Sequence, residues 1–179
     1  MKKETHTQNK TFKLVFTSLM IALTLVLNRI LPATPVYHLT LDFIPIFITG
    51  TLFGPIWAAV TYGVADTLGC IIYPFGPYNP GITLSLMIIG LAYGFIFYKK
   101  DLSGNKLIIR AIISSIALLL IKMFITTFFL WIQYGGGDTY WAYFIMRIPN
   151  CVPIAIANAI LLPPVYRLLV KQIQKYNLM

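Results

Sequence analysis

Apolar residues run along this chain in blocks too long for half-buried strands, and short polar or proline-rich stretches divide them. The first run, 12–31, ends at Pro32 and Pro35. A second begins near Leu41 and stops at Gly54-Pro55, short for a membrane crossing unless tilted or partly exposed. The third spans about 55–72, with Pro55 in its first turn, where a missing N–H is harmless. Residues 73–81 (YPFGPYNPG) then form a stiff loop of prolines and aromatics. Runs at 82–98, 107–131 and 140–169 complete the series. The last contains Pro149, Pro153, Pro163 and Pro164, so kinks are expected in it. The pattern predicts an all-α polytopic membrane protein with six transmembrane helices over 12–170. Polar tails at 1–11 and 171–179 flank that single domain.

Composition agrees. Hydrophobic residues make up 58% and charged residues only 11%, where a soluble domain carries roughly 25%. Mean hydropathy is +0.78. The formal charge of +9 invites a nucleic-acid reading, but the positions of the basic residues argue against it. Lys2, Lys3, Lys10 and Lys13 precede or open the first run, and Lys99, Lys100, Lys106 and Arg110 separate the fourth from the fifth. Arg167, Lys171 and Lys175 close the chain, while 32–41, 73–81 and 134–139 hold no lysine or arginine. Six spans put all of these basic residues in the cytosol, with both termini there too. Five spans would strand the basic C-terminus on the opposite side. The leading MKKETHTQNK is too polar and too long for a cleaved signal peptide, which leaves it as a cytosolic tail. Cys70 and Cys151 fall in apolar runs and act as small hydrophobes. With His6 and His38 far apart, no metal site is indicated.

Three basic residues remain: Arg29, Lys122 and Arg147. A cation at the bilayer centre costs about 2.5–3.5 kcal/mol on insertion scales, so each needs an anionic partner or a route to water. Arg29 lies at the outer end of the first span. Lys122 is ~22 Å into an outward-running fifth span, and Arg147 ~10 Å into an inward-running sixth, at 1.5 Å per residue. All three share the outer half. Asp66 is the one acidic residue clearly within an apolar run, so three charges minus one leaves +2, which suits a ligand with two carboxylates. Structural alternatives exist: Arg29 can snorkel or pair with Asp42, and Lys122 can pair with Asp66. Phe75 and Tyr78, held by prolines above these charges, suit a lid or a stacking surface. Asn79, Gly81 and Thr83 follow in the same loop and helix start, with Ser85 just beyond. Trp131 lies among interfacial aromatics that include Tyr134, Tyr140 and Trp141.

Nothing in the sequence looks catalytic. It lacks HExxH, GxSxG, a Walker loop and neighbouring carboxylates, so an intramembrane enzyme is disfavoured and any ATP-driven step needs another polypeptide. Ser18 and Ala22 form a small-xxx-small pair in the first span that lets another helix approach closely. A ligand-free assembly factor is the remaining alternative from a different class.

Residues 42–55 (DFIPIFITGTLFGP), 63–69 (GVADTLG) and 73–85 (YPFGPYNPGITLS) resemble the substrate-binding S components of energy-coupling factor (ECF) vitamin transporters. Residues 90–100 (GLAYGFIFYKK) and the Trp141…Arg147-Ile-Pro segment are most similar to the folate-specific members. The resemblance covers about 12–170. It implies a six-helix binding subunit of the bacterial plasma membrane that takes a folate or similar anionic vitamin from outside. It further implies a transmembrane coupling protein and two ATPase subunits as partners, with ATP used by those partners and no cofactor on this chain. Coupling in the family uses an AxxxA-type surface on the first helix, which Ser18 and Ala22 occupy here. The chain departs from the folate pattern at Asn79, where an aromatic is usual, and at Thr126-Thr127, where Asn-Thr is usual. Pantothenate, with one carboxylate and no aromatic ring, is the alternative ligand. For folate, the two glutamate carboxylates match the +2 excess, Arg147 offers a carboxylate two parallel N–H donors, and Asp66 suits the pterin N–H groups.

Overall fold

The computed structural model describes residues 10–30, 40–72, 74, 76–98, 100, 104–135 and 139–176. Every regular element among them is helical. The order is α1 (Lys10–Ile30), α2 (Phe43–Phe53), α3 (Pro55–Ile72), α4 (Pro80–Phe97), α5 (Asn105–Leu120), a π-helical turn (Ile121–Thr126), α6 (Thr127–Tyr134) and α7 (Tyr140–Tyr176). Five helical segments are long and apolar enough to cross a membrane: α1, α3, α4, the run from Asn105 to Tyr134, and α7. Apolar α2 is shorter. Its brevity matches the short second run read from the sequence.

Helices apolar on all sides need a solvent as apolar as themselves. Ile56, Ile71 and Phe95 are each at least 70% exposed, an arrangement suited to lipid tails and costly in water. This is a multi-pass membrane protein.

Small residues set the closest packing. Gly54 adopts φ 99° in the turn between α2 and α3, a conformation nearly closed to other residues. Its N–H donates to the Gly50 carbonyl at 3.1 Å, and its own carbonyl accepts from Ala58 at 3.2 Å. On α4, a Cβ placed on Gly94 would lie 2.2 Å from the Pro55 Cα, so backbone meets backbone where α4 crosses the start of α3. Around this seam Phe43, Ile46, Phe47, Tyr62, Ile89, Tyr93 and Phe97 form the core with Leu107, Leu118, Leu162 and Tyr166. α1 joins from the side, burying Thr17, Met20 and Thr24. Phe12 and Phe16 lay their rings edge-on against Phe53, at 6.3 and 5.4 Å between centroids.

One feature departs from the sequence reading. The fifth run is not a uniform helix, because the π-turn interrupts it. Before the turn the buried positions are Leu107, Ala111, Ser114, Ser115 and Leu118; within it they are Met123 and Thr126, and Thr127 follows directly. The step of five from Leu118 to Met123 shifts the inward face, so an aliphatic stripe gives way to two adjacent threonines. The threonine hydroxyl of Thr127 reaches back five residues to the Lys122 carbonyl at 3.2 Å. α7 continues as one helix through all four prolines.

Candidate ligand-binding site

The two ends of the bundle are packed differently. At the end bearing Lys100, Tyr166 donates to the Lys100 carbonyl at 2.5 Å, Arg110 to the Ile96 carbonyl, and Phe97 stacks edge-on against Phe47 at 4.8 Å. At the end bearing Asn79, no residue of 128–134 or 140–150 is buried. The polar side chains singled out from the sequence collect in this looser half.

Asp66 on α3 and Thr83 on α4 face each other there. The Thr83 hydroxyl donates to Asp66 Oδ2 at 2.6 Å and lies 3.1 Å from the Tyr78 hydroxyl. Thr83 has one proton, and the carboxylate takes it, so Tyr78 supplies the proton for the second contact. Thr83 is buried, Asp66 half-buried and Tyr78 47% exposed, which makes a graded polar path into the bundle. An ionised carboxylate has acceptor sites on both oxygens, so this cluster can receive N–H donors from a ligand.

Asn79 ties its loop to two helices. Its Oδ1 accepts from the Gly81 N–H at 2.9 Å, which caps α4 ahead of Pro80. Its Nδ2 donates to the Phe129 carbonyl at 3.0 Å and to Gln133 Oε1 at 2.8 Å. Gln133 Nε2 in turn donates to the Pro77 carbonyl at 2.8 Å. These bonds staple the 77–79 loop to α6. Gly81 belongs to the same seam: a Cβ there would lie 2.1 Å from the Phe129 ring. The geometry accounts for Asn79 and Gly81 as parts that position the loop. Deeper, the Ser85 hydroxyl lies 2.9 Å from that of Thr126, tying α4 to the π-turn.

The three cations are distributed as follows. Arg29 lies in the last turn of α1, and its side chain is outside the described residues, as is Phe75 altogether. Lys122 is half-buried on the π-turn. No hydrogen bond or ion pair of its ammonium is found among the described residues. Arg147 sits in α7, and its Nη1 is buried with no hydrogen-bond partner. Lys122 and Arg147 are on packed elements: Phe124 meets Phe144 at 5.4 Å, two residues after one cation and three before the other. Trp131 packs its ring against Phe128 and Tyr140, at 6.3 and 6.2 Å, within an aromatic seam that continues to Trp141 and Phe144. Ser18 and Ala22 are exposed on α1, with the Ser18 hydroxyl folded back onto the Leu14 carbonyl at 2.9 Å.

Sequence reasoning missed Gln133 and the pairing of Thr126 with Ser85. Asn79 did carry a local signal, since an Asn before Pro-Gly is a helix start.

The family model described as ECF transporter, substrate-specific component, matches residues 12–166. A folate transporter FolT of Clostridium novyi is 29% identical over 75% of this chain and 76% of its own length. A folate transporter FolT of Streptococcus mutans is 30% identical over 74% and 73%. A crystal structure of FolT bound with folic acid superposes with a TM-score of 0.76 at 27% identity, covering 90% of this chain and 94% of that one.

Proposed function

Because the chain belongs to the substrate-specific components of ECF transporters, we propose that it is the folate-binding subunit of such a transporter. Its similarity to folate transporters along most of both chains supports folate as the ligand. The observation on this chain that carries the reading is the buried, unpartnered Nη1 of Arg147. A buried guanidinium N–H without an acceptor is expensive, and a ligand carboxylate supplies that acceptor with bidentate geometry. Lys122, on the packed neighbouring turn, offers a second positive charge.

The Asn79 end faces outward in this reading, because Lys10, Lys13, Lys100, Lys106, Arg110, Arg167 and Lys171 lie at the opposite end. Six spans then cross the plasma membrane, α2 being the short one, with both termini cytosolic and one domain over 12–170. The graded path of Tyr78, Thr83 and Asp66 admits the ligand from outside. Binding is all the chain does with the vitamin. A coupling protein, docked on the Ser18–Ala22 face of α1, and two ATPases supply the ATP-driven step. That face suits the task because α1 leaves Leu14, Val15 and Leu19 exposed beside it.

Titrating the purified chain with folic acid, followed by tryptophan fluorescence, tests the assignment. Saturable quenching at or below micromolar ligand is expected, and Arg147→Ala weakens it at least tenfold. An unchanged signal for the wild-type chain refutes folate as ligand. Unchanged affinity for Arg147→Ala removes that residue from the site.

A further inference from the structure

At the Asn79 end, α6 and residues 140–150 of α7 are held to each other by a row of aromatic rings. Trp131 meets Tyr140 at 6.2 Å and Phe124 meets Phe144 at 5.4 Å between centroids. The Tyr143 hydroxyl donates to the Tyr134 carbonyl at 2.9 Å. Toward α4 the ties are the Asn79 bonds and the Phe129 ring lying over Gly81. No residue of 128–134 or 140–150 is buried. Beyond Asn150 the packing changes character. Cys151, Ile154, Ala155 and Asn158 of α7 are buried. Asn158 Nδ2 donates to the Tyr93 hydroxyl of α4, and the Ser115 hydroxyl of α5 lies 3.2 Å from Asn158 Oδ1. This stem is anchored, while the two segments above it are not.

Both segments leave the stem through an irregular piece of helix. On one side it is the π-turn, Ile121–Thr126. On the other, Pro149 and Pro153 carry no N–H, so the Ile145 and Pro149 carbonyls lose their helical donors. The two irregularities share a level. Trp131 with Tyr140, Phe124 with Phe144 and Ser115 with Asn158 set an antiparallel register, and Pro149 then falls opposite the π-turn. Helices bend where a proline or a π-bulge interrupts the hydrogen-bond ladder. Interruptions at different levels would let each leg splint the other; at one level they make a hinge.

We propose that α6 and 140–150 swing as one body about the π-turn and Pro149–Pro153, opening the site and closing it over a bound ligand. This rests on the folate reading above for its ligand. Arg147 and Trp131 ride on the moving body, and Lys122 stays at the hinge. Closure therefore carries the guanidinium to the ligand carboxylate, and the Asn79–Gln133 bond is the catch that holds the body shut.

Distances between spin labels test this on the full chain, with Cys70→Ala and Cys151→Ala and labels at exposed positions. The pair Ile132→Cys and Ile145→Cys lies within the moving body, and the pair Ile132→Cys and Ile71→Cys spans from it to α3. On adding folic acid the spanning distance should change by about 3 Å or more while the internal distance stays within ~1 Å. A spanning distance that does not move, or an internal distance that moves as much, overturns the proposal. The double variant Pro149→Ala, Pro153→Ala restores both helical donors. In stopped-flow tryptophan fluorescence, folic acid should associate with it about tenfold more slowly than with wild type. No effect, or one confined to dissociation, overturns the hinge; a variant that does not fold leaves the decision to the label distances. A wild-type chain that does not bind folic acid defeats the folate reading instead. The ligand-free spanning distance then decides: a broad or divided distribution supports the hinge, and a single narrow one overturns it.

Discussion

Replacing Asn79 separates two roles that the structure gives to one side chain. Asn79→Ala removes the cap on α4, about 1 kcal/mol, and two hydrogen bonds to α6, about 1 kcal/mol each. The three act on one residue and are not independent, so the loss in anchoring the 77–79 loop is about 2–3 kcal/mol. If the ligand needs that loop in place, affinity falls on the order of 30- to 150-fold, at 1.4 kcal/mol per tenfold. Asn79→Asp splits the effects. It keeps the oxygen that caps α4 but turns the donor facing the Phe129 carbonyl into an acceptor. The staple then opens while the helix start survives. Hydrogen exchange followed by mass spectrometry reads both: for Asn79→Ala, protection should drop at 76–84 and at 129–135. For Asn79→Asp, protection at 81–84 should persist while 76–78 and 129–135 open. Equal exchange and equal folic acid affinity in all three proteins would refute the idea that Asn79 organises the mouth of the site.

Other outcomes follow from the same geometry. Lys122→Met should weaken folic acid several-fold, less than Arg147→Ala, because an ammonium is a point charge without a fork; unchanged titration curves would exclude Lys122. Gly81→Ala should lower the melting temperature by several degrees as its methyl is forced into the Phe129 ring, and an unaltered melt would contradict that packing. Ser18→Trp or Ala22→Trp should leave folic acid affinity within about twofold while abolishing uptake by cells that make the whole transporter; normal uptake would exclude close helix docking at this face.

The helices were legible because long apolar runs separated by Pro, Gly and charge have few alternatives in a membrane. The reading of 55–72 coincides with α3, and the stop at Gly54-Pro55 falls on the turn that needs φ 99°. The π-turn was not legible. Its period shows only when buried and exposed positions differ in polarity, and Lys122 to Trp131 is apolar on nearly every face. Adjacent Thr126 and Thr127 were the sole trace. Asn79 was read for its chemistry and not for its place before Pro80, although the cap signal was there. Pairings across the sequence left no local mark: Asn79 meets Gln133 and Asp42 meets Tyr62, each joining different helices through tertiary packing. Charge read from composition singled out Arg147, whose Nη1 is buried with no hydrogen-bond partner.

The central claim is that the chain by itself binds folate. Native mass spectrometry of the protein, gently released from membranes and incubated with folic acid, measures this without any partner or probe. One folate per chain, retained by the wild type and lost on Arg147→Ala, is the expected spectrum. A wild-type chain that carries no small molecule after incubation contradicts the account.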